Sequence, residues 1–132
     1  MKDFVGQIRL WCEQKILLWK NESEVIFKEG EVWWCRFGIN VGEEIYGKGR
    51  FYTRPVLAFR KFTGNSFLGL PLTGQGKTGS WYVPIQLHSK KSWVLLNQAR
   101  ILDKKRLTVR IGTVEEEQLR KVRASFVSFY SS

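Results

Sequence analysis

The chain is short of the residues that most often carry hydrolytic or metal chemistry. Its single histidine, His88, reads as an exposed turn residue, and no pair of histidines can divide acid and base work within one chain. The two cysteines, Cys12 and Cys35, lack metal-ligand spacing and sit among apolar neighbours. They read as buried, reduced thiols, with a disulfide between them as the alternative. Acids are outnumbered 12 to 22 by lysine and arginine, and the side chains of the adjacent Glu43-Glu44 pair would diverge on an extended segment. No metal cluster is therefore expected, and no motif implies a cofactor. No apolar run is long enough to span a bilayer and no secretory leader is recognisable, so a cytoplasmic protein without a membrane partner is expected.

What the chain does have is positive charge and aromatic surface. Its net charge is +10 and its pI near 9.9. That excess on one small domain points to an anionic partner, nucleic acid first and acidic protein second. A composition 43% hydrophobic and 14% aromatic excludes a disordered polyelectrolyte, and 132 residues suffice for one domain with a real core.

The hydrophobic period changes along the chain. Up to about residue 20 it is helical, with Phe4, Ile8, Trp11, Cys12 and Trp19 on one side and Lys2, Arg9, Glu13 and Lys20 on the other. From Gly30 onward short strands alternate with turn signals. Strands are expected at Glu31 to Phe37, Arg54 to Phe59, Ser66 to Leu72, Trp81 to Leu87, Ser92 to Leu96 and Leu107 to Gly112. Pro55 must sit near a strand start or on an edge, because it has no N–H to give. Thr63-Gly64-Asn65 marks a hairpin, and Asn97 to Lys105 reads as a short helical turn. Two glycine-rich loops, Gly38 to Thr53 and Thr73 to Ser80, are the candidate functional loops. Thr113-Val114-Glu115-Glu116 has the form of a capping box, with Thr113 as N-cap of a closing helix through Val114, Leu119, Val122, Phe126 and Phe129. These elements predict an α+β fold that is mainly β: five or six strands in a bent antiparallel sheet or partly open barrel, with helices packed on it.

Arg54-Pro55, at the start of one strand, and Pro71-Leu72-Thr73-Gly74-Gln75, at the end of the next, place a permanent cation and a hydroxyl at neighbouring strand ends. A guanidinium matches the geometry of a phosphate with two parallel hydrogen bonds, so the pair points to phosphate chemistry.

In order along the chain, Gly30-Glu31-Val32-Trp33-Trp34, Gly42-Glu43-Glu44, Arg54-Pro55-Val56-Leu57, Pro71-Leu72-Thr73, Trp93 to Arg100 and Ile111-Gly112-Thr113-Val114 resemble the MazF/PemK family of toxin endoribonucleases. The resemblance implies a compact SH3-like, MazF-like barrel over residues 23–132, with residues 1–22 as an added N-terminal helix. It implies a homodimer that cuts single-stranded RNA at short sequences without metal, leaving 2′,3′-cyclic phosphate and 5′-OH ends. It also implies a cognate antitoxin, whose acidic disordered tail would suit the positive charge.

The family's catalytic arginine falls on Arg54, its threonine on Thr73 and its loop acid on Glu44, with Glu43 as the competing alignment. Arg54 would stabilise charge on phosphorus, Thr73 would bond a phosphate oxygen, and Glu44 is the candidate base. Lys48, Arg50 and Tyr52 in the first loop are the expected RNA contacts, with Gln75, Lys77 and Trp81 around the second and Gln98 and Arg100 after the late strand. Of each neighbouring aromatic pair, Trp33-Trp34 and Trp81-Tyr82, at least one member should belong to the core.

This chain departs from the family pattern by extra residues at Lys48 to Tyr52, by Gly74 in place of a second hydroxyl, by Asn97 in place of an acid, and by its N-terminal helix. That helix either covers the chain's own barrel or docks a partner through Trp11 and Trp19. The competing functions are a catalytically reduced RNA-binding module and a poison of a protein target such as DNA gyrase, in the manner of CcdB toxins.

Overall fold

The computed structural model describes residues 4–40, 44–45, 47–49, 52–76 and 78–131. Among them seven strands form a curled antiparallel half-barrel, with one helix before the strands and one after. Strands β1 (Glu31–Arg36), β2 (Thr53–Lys61) and β3 (Ser66–Thr73) lie side by side at its centre, and β7 (Leu107–Thr113) flanks β1. Beyond β3 the sheet divides. The first half of β3 pairs with β6 (Arg100–Asp103), and its end pairs with β5 (Lys90–Leu95), which carries β4 (Tyr82–Leu87).

Both faces of the central strands are covered, which is why they read as almost continuous apolar runs. On one face Val32, Leu57, Leu70 and Leu72 pack with Val83, Ile85 and Val94 beneath α2 (Glu116–Tyr130), through its Leu119 and Val122. On the other, Trp33, Cys35, Val56 and Ala58 enclose Phe27, Phe37, Phe67, Leu102 and Leu107. Trp33 is buried and Trp34 exposed, as strand alternation requires.

The Thr63 hairpin forms as expected. The Thr63 hydroxyl oxygen accepts from the Asn65 and Ser66 N–H groups and closes the turn beside the Lys61–Phe67 pair. A shift between Ala58 and Arg60 then moves the β2–β3 register by one residue. Pro55 is the third residue of β2, near its start.

Several expectations are corrected. The stretch from Asn97 to Lys105 contains a strand: β6 runs between 3₁₀ turns at Leu96–Gln98 and Lys104–Arg106, because Leu102 can enter the second core opposite Phe67. Thr113 does not cap α2. It is still paired with Glu31 in β7, and the helix starts at Glu116 without a side-chain cap. The first helix, α1 (Phe4–Lys20), exists, but Phe4, Ile8, Cys12 and Trp19 are exposed while Trp11 and Leu18 are buried. Its sequence is apolar on several sides, so docking rather than periodicity chose the covered stripe. Cys12 is exposed, Cys35 is buried and both are free thiols, which removes the disulfide alternative.

Candidate active site

β2 and β3 bring the two candidate residues together. Their register pairs Val56 with Pro71 and Leu57 with Leu70, so two residues further along Arg54 stands opposite Thr73. Arg54 also pairs with Cys35 on β1, and Thr73 with Trp93 on β5. Antiparallel partners share a face, so these four side chains belong to the same side of the sheet. Arg54 is only 9% exposed, and its Nη1 donates to the Leu72 carbonyl at 3.2 Å. This bond aims the guanidinium along the sheet towards the end of β3. Just before Arg54, the Lys48 and Thr53 backbones exchange hydrogen bonds of 2.9 and 3.0 Å, which closes the ends of the stretch that leads into it.

Thr73 is half-buried, and its hydroxyl oxygen accepts from the Gln75 N–H at 3.2 Å. Such an oxygen can still donate its own proton to an anion. Gln75 itself is exposed on the loop beyond.

Glu44 is exposed, on a segment held from two directions. Gln98 Oε1 accepts from the Ile45 N–H at 3.1 Å, and Asn40 Nδ2 donates to the Ile45 carbonyl at 2.7 Å. Ile45 packs on the second core, so Glu44 is carried on the Arg54 side of the sheet. Gln98, expected as an RNA contact, thus also pins the loop that bears the candidate base.

Arg100 is half-buried, with its guanidinium 4.8 Å from the centre of the Phe37 ring. Lys48 is exposed, and Tyr52 is half-buried against Trp11 of α1. Trp81 is exposed and Tyr82 half-buried, their rings 5.8 Å apart, so neither joins the core, against the expectation for this pair. Trp81 precedes β4, and its carbonyl accepts from the Leu96 N–H. Glu43, Arg50 and Lys77 lie outside the described residues. His88 is exposed in the β4–β5 turn, with Nε2 2.8 Å from the Ile111 carbonyl and a left-handed φ of 51°.

Three further residues join the site that sequence reasoning did not single out as ligands. Trp93 lies across from Thr73, and a methyl on Gly76 would come within 2.1 Å of its ring, so the second loop folds directly over the indole. Lys91 Nζ stands 5.4 Å from the same ring. The spacing Lys91-Ser92-Trp93 puts both on one strand face, but only the β3–β5 register shows which residue they flank. Arg106 is half-buried, and its Nη1 donates to the Arg36 carbonyl at 3.1 Å. Burial, and then repulsion from Arg100, lowers its pKa from the usual arginine value. Two guanidiniums close enough to feel each other make this face strongly attractive to anions.

The chain as a whole has matches among known proteins. Residues 28–130 match the family described as PemK-like, MazF-like toxin of type II toxin-antitoxin system. The chain is 30% identical over 108 residues to Endoribonuclease EndoA of Bacillus subtilis (strain 168), covering 74% of this chain and 89% of that protein. In fold it is similar to the crystal structure of MazF (Form-I) from Deinococcus radiodurans, at 22% identity and a TM-score of 0.66, over 83% of this chain and 100% of that one. It is similar also to an endoribonuclease in complex with its cognate antitoxin from a mycobacterial species, at 17% identity and a TM-score of 0.54, over 76% and 90% of the two chains.

Proposed function

The chain belongs to the PemK-like, MazF-like toxin family of type II toxin-antitoxin systems, and we propose that it is a metal-independent endoribonuclease that cuts single-stranded RNA at short sequences. The observation that carries this reading is the placement of Arg54 across from Thr73, with the guanidinium fixed on the Leu72 carbonyl.

Cleavage by internal attack needs the 2′-oxygen deprotonated, the charge on phosphorus stabilised and the 5′-oxygen protonated as it leaves. Arg54 supplies the stabilising charge. Its side chain is oriented before substrate arrives, so little reorganisation accompanies the reaction. Thr73 donates to a non-bridging phosphate oxygen and sets the register of attack. Glu44 takes the 2′-OH proton, and the 2′-oxygen displaces the 5′-oxygen, which takes a proton from solvent water as it leaves, giving a 2′,3′-cyclic phosphate and a 5′-OH. Arg54 is not the base, since a guanidinium stays protonated at every pH at which the protein works.

RNA is held by Lys48, Arg50, Tyr52, Gln75, Lys77, Trp81, Gln98 and Arg100, with Trp93 and Lys91 beside Thr73. This mixture of cations and aromatic faces binds phosphates and stacks unpaired bases. The active form is a homodimer, and its inhibitor is a cognate antitoxin whose acidic disordered tail occupies the basic face. Residues 23–132 carry the activity and residues 1–22 are an extension to it.

Expression of the wild-type chain in bacteria should arrest growth, and Arg54→Ala should relieve the arrest at equal protein level. Arrest that persists in Arg54→Ala would favour action by RNA binding alone or on a protein target.

A further inference from the structure

α1 lies outside the family match, which begins at residue 28, and its one deeply inserted aromatic grips both stems of the loop before Arg54. Trp11 is 5% exposed. Against one part of its indole lies Gly38, with φ +84°, where an added methyl would come within 2.2 Å of the ring. Against another stands the ring of Tyr52, edge-on with centroids 5.8 Å apart. The Arg106 guanidinium lies 5.9 Å from the indole centre.

Tyr52 Oη also donates to the Gln7 carbonyl of α1 at 3.3 Å. The Tyr52 carbonyl accepts from the Phe37 and Gly38 N–H groups at 2.9 and 3.0 Å. Gly38 and Tyr52 therefore meet under the same helix, two residues before Arg54 on the strand side. Apart from Trp11 and Leu18, α1 contributes little to the core: Phe4, Val5, Ile8, Leu10, Ile16, Leu17 and Trp19 are all exposed. Its far end is held separately, by Leu18 and by Lys105 Nζ donating to the Trp19 carbonyl at 3.1 Å, so Trp11 is the buried side chain of α1 that meets Gly38 and Tyr52.

We propose that α1 is a clamp on Gly38 and Tyr52 and that Trp11 is a positioning residue for RNA binding. The clamp rests on the nuclease reading above for its substrate. It acts by holding Gly38, whose carbonyl accepts from the Gly47 N–H at 2.7 Å, and Tyr52 in one geometry, so that Lys48 and Tyr52 are placed before RNA binds. Trp11 touches no reacting atom and works through Gly38 and Tyr52.

The test uses the full chain with Trp11→Ala, Trp11→Phe, Gly38→Ala and Leu18→Ala. Leu18 is buried two helical turns from Trp11 and serves as the control for a general loss of stability. Two readouts are compared: amide hydrogen exchange at Phe37, Gly38, Lys48 and Thr53, and the Kd for a short mixed-sequence 2′-deoxy oligonucleotide, which lacks the attacking hydroxyl. Trp11→Ala should speed exchange at these amides and weaken binding roughly tenfold. Trp11→Phe should restore most of both. Gly38→Ala both drives a methyl into the indole and strains a left-handed backbone, so it should reproduce the effect. Trp11→Phe decides the matter if Trp11→Ala does not fold: unchanged Kd and exchange in a wild-type-like Trp11→Phe protein support the clamp, and a loss equal to that of Leu18→Ala overturns it.

Wild-type exchange or wild-type Kd in the folded Trp11→Ala protein overturns the proposal, as does an equal effect from Leu18→Ala. If the wild-type protein binds the oligonucleotide but leaves RNA uncut, the nuclease reading falls and the clamp is still judged by exchange and Kd. If it binds no strand at all, both fall.

Discussion

Arg54 donates through Nη1 to the carbonyl of Leu72, the residue before Thr73, at 3.2 Å, just beyond the last β2–β3 pair, Val56 and Pro71. Pro55 and Pro71 flank this point, and neither has an N–H to give to a ladder. The regular backbone pairing thins out where the functional side chains begin, and the guanidinium spans the gap to the Leu72 carbonyl.

Replacing Arg54 by alanine should lower the rate of RNA cleavage by about two orders of magnitude or more, the scale on which one transition-state donor matters. Arg54→Lys keeps the charge but not the fork, and should fall between alanine and wild type. Single-turnover cleavage of one RNA, with circular dichroism to confirm folding, checks both. A folded Arg54→Ala protein that cuts at the wild-type rate removes Arg54 from the mechanism.

Trp93→Ala should weaken RNA binding by about 1–3 kcal/mol, the usual contribution of one stacked base. The ring lies across from Thr73 under Gly76, with Lys91 beside it. Fluorescence anisotropy with an uncleavable strand measures the loss, and an unchanged Kd would make Trp93 a purely structural residue.

The strands and the Thr63-Gly64-Asn65 turn were legible in the sequence, but the turn alone would set Arg54 across from Gly74. A register shift between Ala58 and Arg60, which no local pattern announces, moves the pairing by one residue. What escaped did so for identifiable reasons. β6 offers one buried residue, Leu102, between two turns, so its strand character comes from pairing with β3 and not from alternation. Thr113 has the residue type of a cap, but the sheet claims it first. Trp11 was one apolar residue among many on α1, and nothing in the helical period distinguishes it from Ile8 or Trp19. Its partners, Gly38 and Tyr52, are distant in sequence, and the contact exists only after folding. Trp93 was visible as part of a strand, but its place beside Thr73 depends on a β3–β5 pairing that no local pattern announces.

Burial pushes the Cys35 thiol up to about 12, against the weaker opposing pull of Arg106 and Arg100. An unfolded thiol ionises near pH 8.5, about where the folded one does not, so stability from this group is intact below that pH and falls as pH rises towards 12. The slope should reach at most about 1.4 kcal/mol per pH unit, and Cys35→Ala should remove it. Urea unfolding of both proteins between pH 8 and pH 10.5 (roughly the range where the unfolded thiol titrates) isolates the difference. Equal slopes would contradict the assignment. At neutral pH a thiol reagent should modify Cys12 in the folded protein and reach Cys35 only on unfolding.

Burial alone would raise the pKa of Glu31, but the Lys28 N–H, Arg110 and Trp33 Nε1 outweigh it and hold the carboxyl below its ordinary value. The stability this provides is present at neutral pH and is lost as pH falls through the depressed pKa. Glu31→Gln should cost about 1–3 kcal/mol at pH 7 by weakening these bonds, and should lose less on acidification than wild type. Denaturant unfolding at neutral and acid pH checks both, and parallel pH curves would refute the claim.

The central claim is metal-independent cleavage by internal attack of the 2′-oxygen, and the chemistry of the new RNA ends tests it most directly. Purified protein should cut a single-stranded RNA in excess EDTA, leaving by mass spectrometry a 2′,3′-cyclic phosphate on one fragment and a 5′-OH on the other. A single 2′-deoxy substitution at the cut site should block the reaction. Fragments bearing 5′-phosphates, cleavage only when a divalent cation is supplied, or cutting that survives the 2′-deoxy substitution would contradict it.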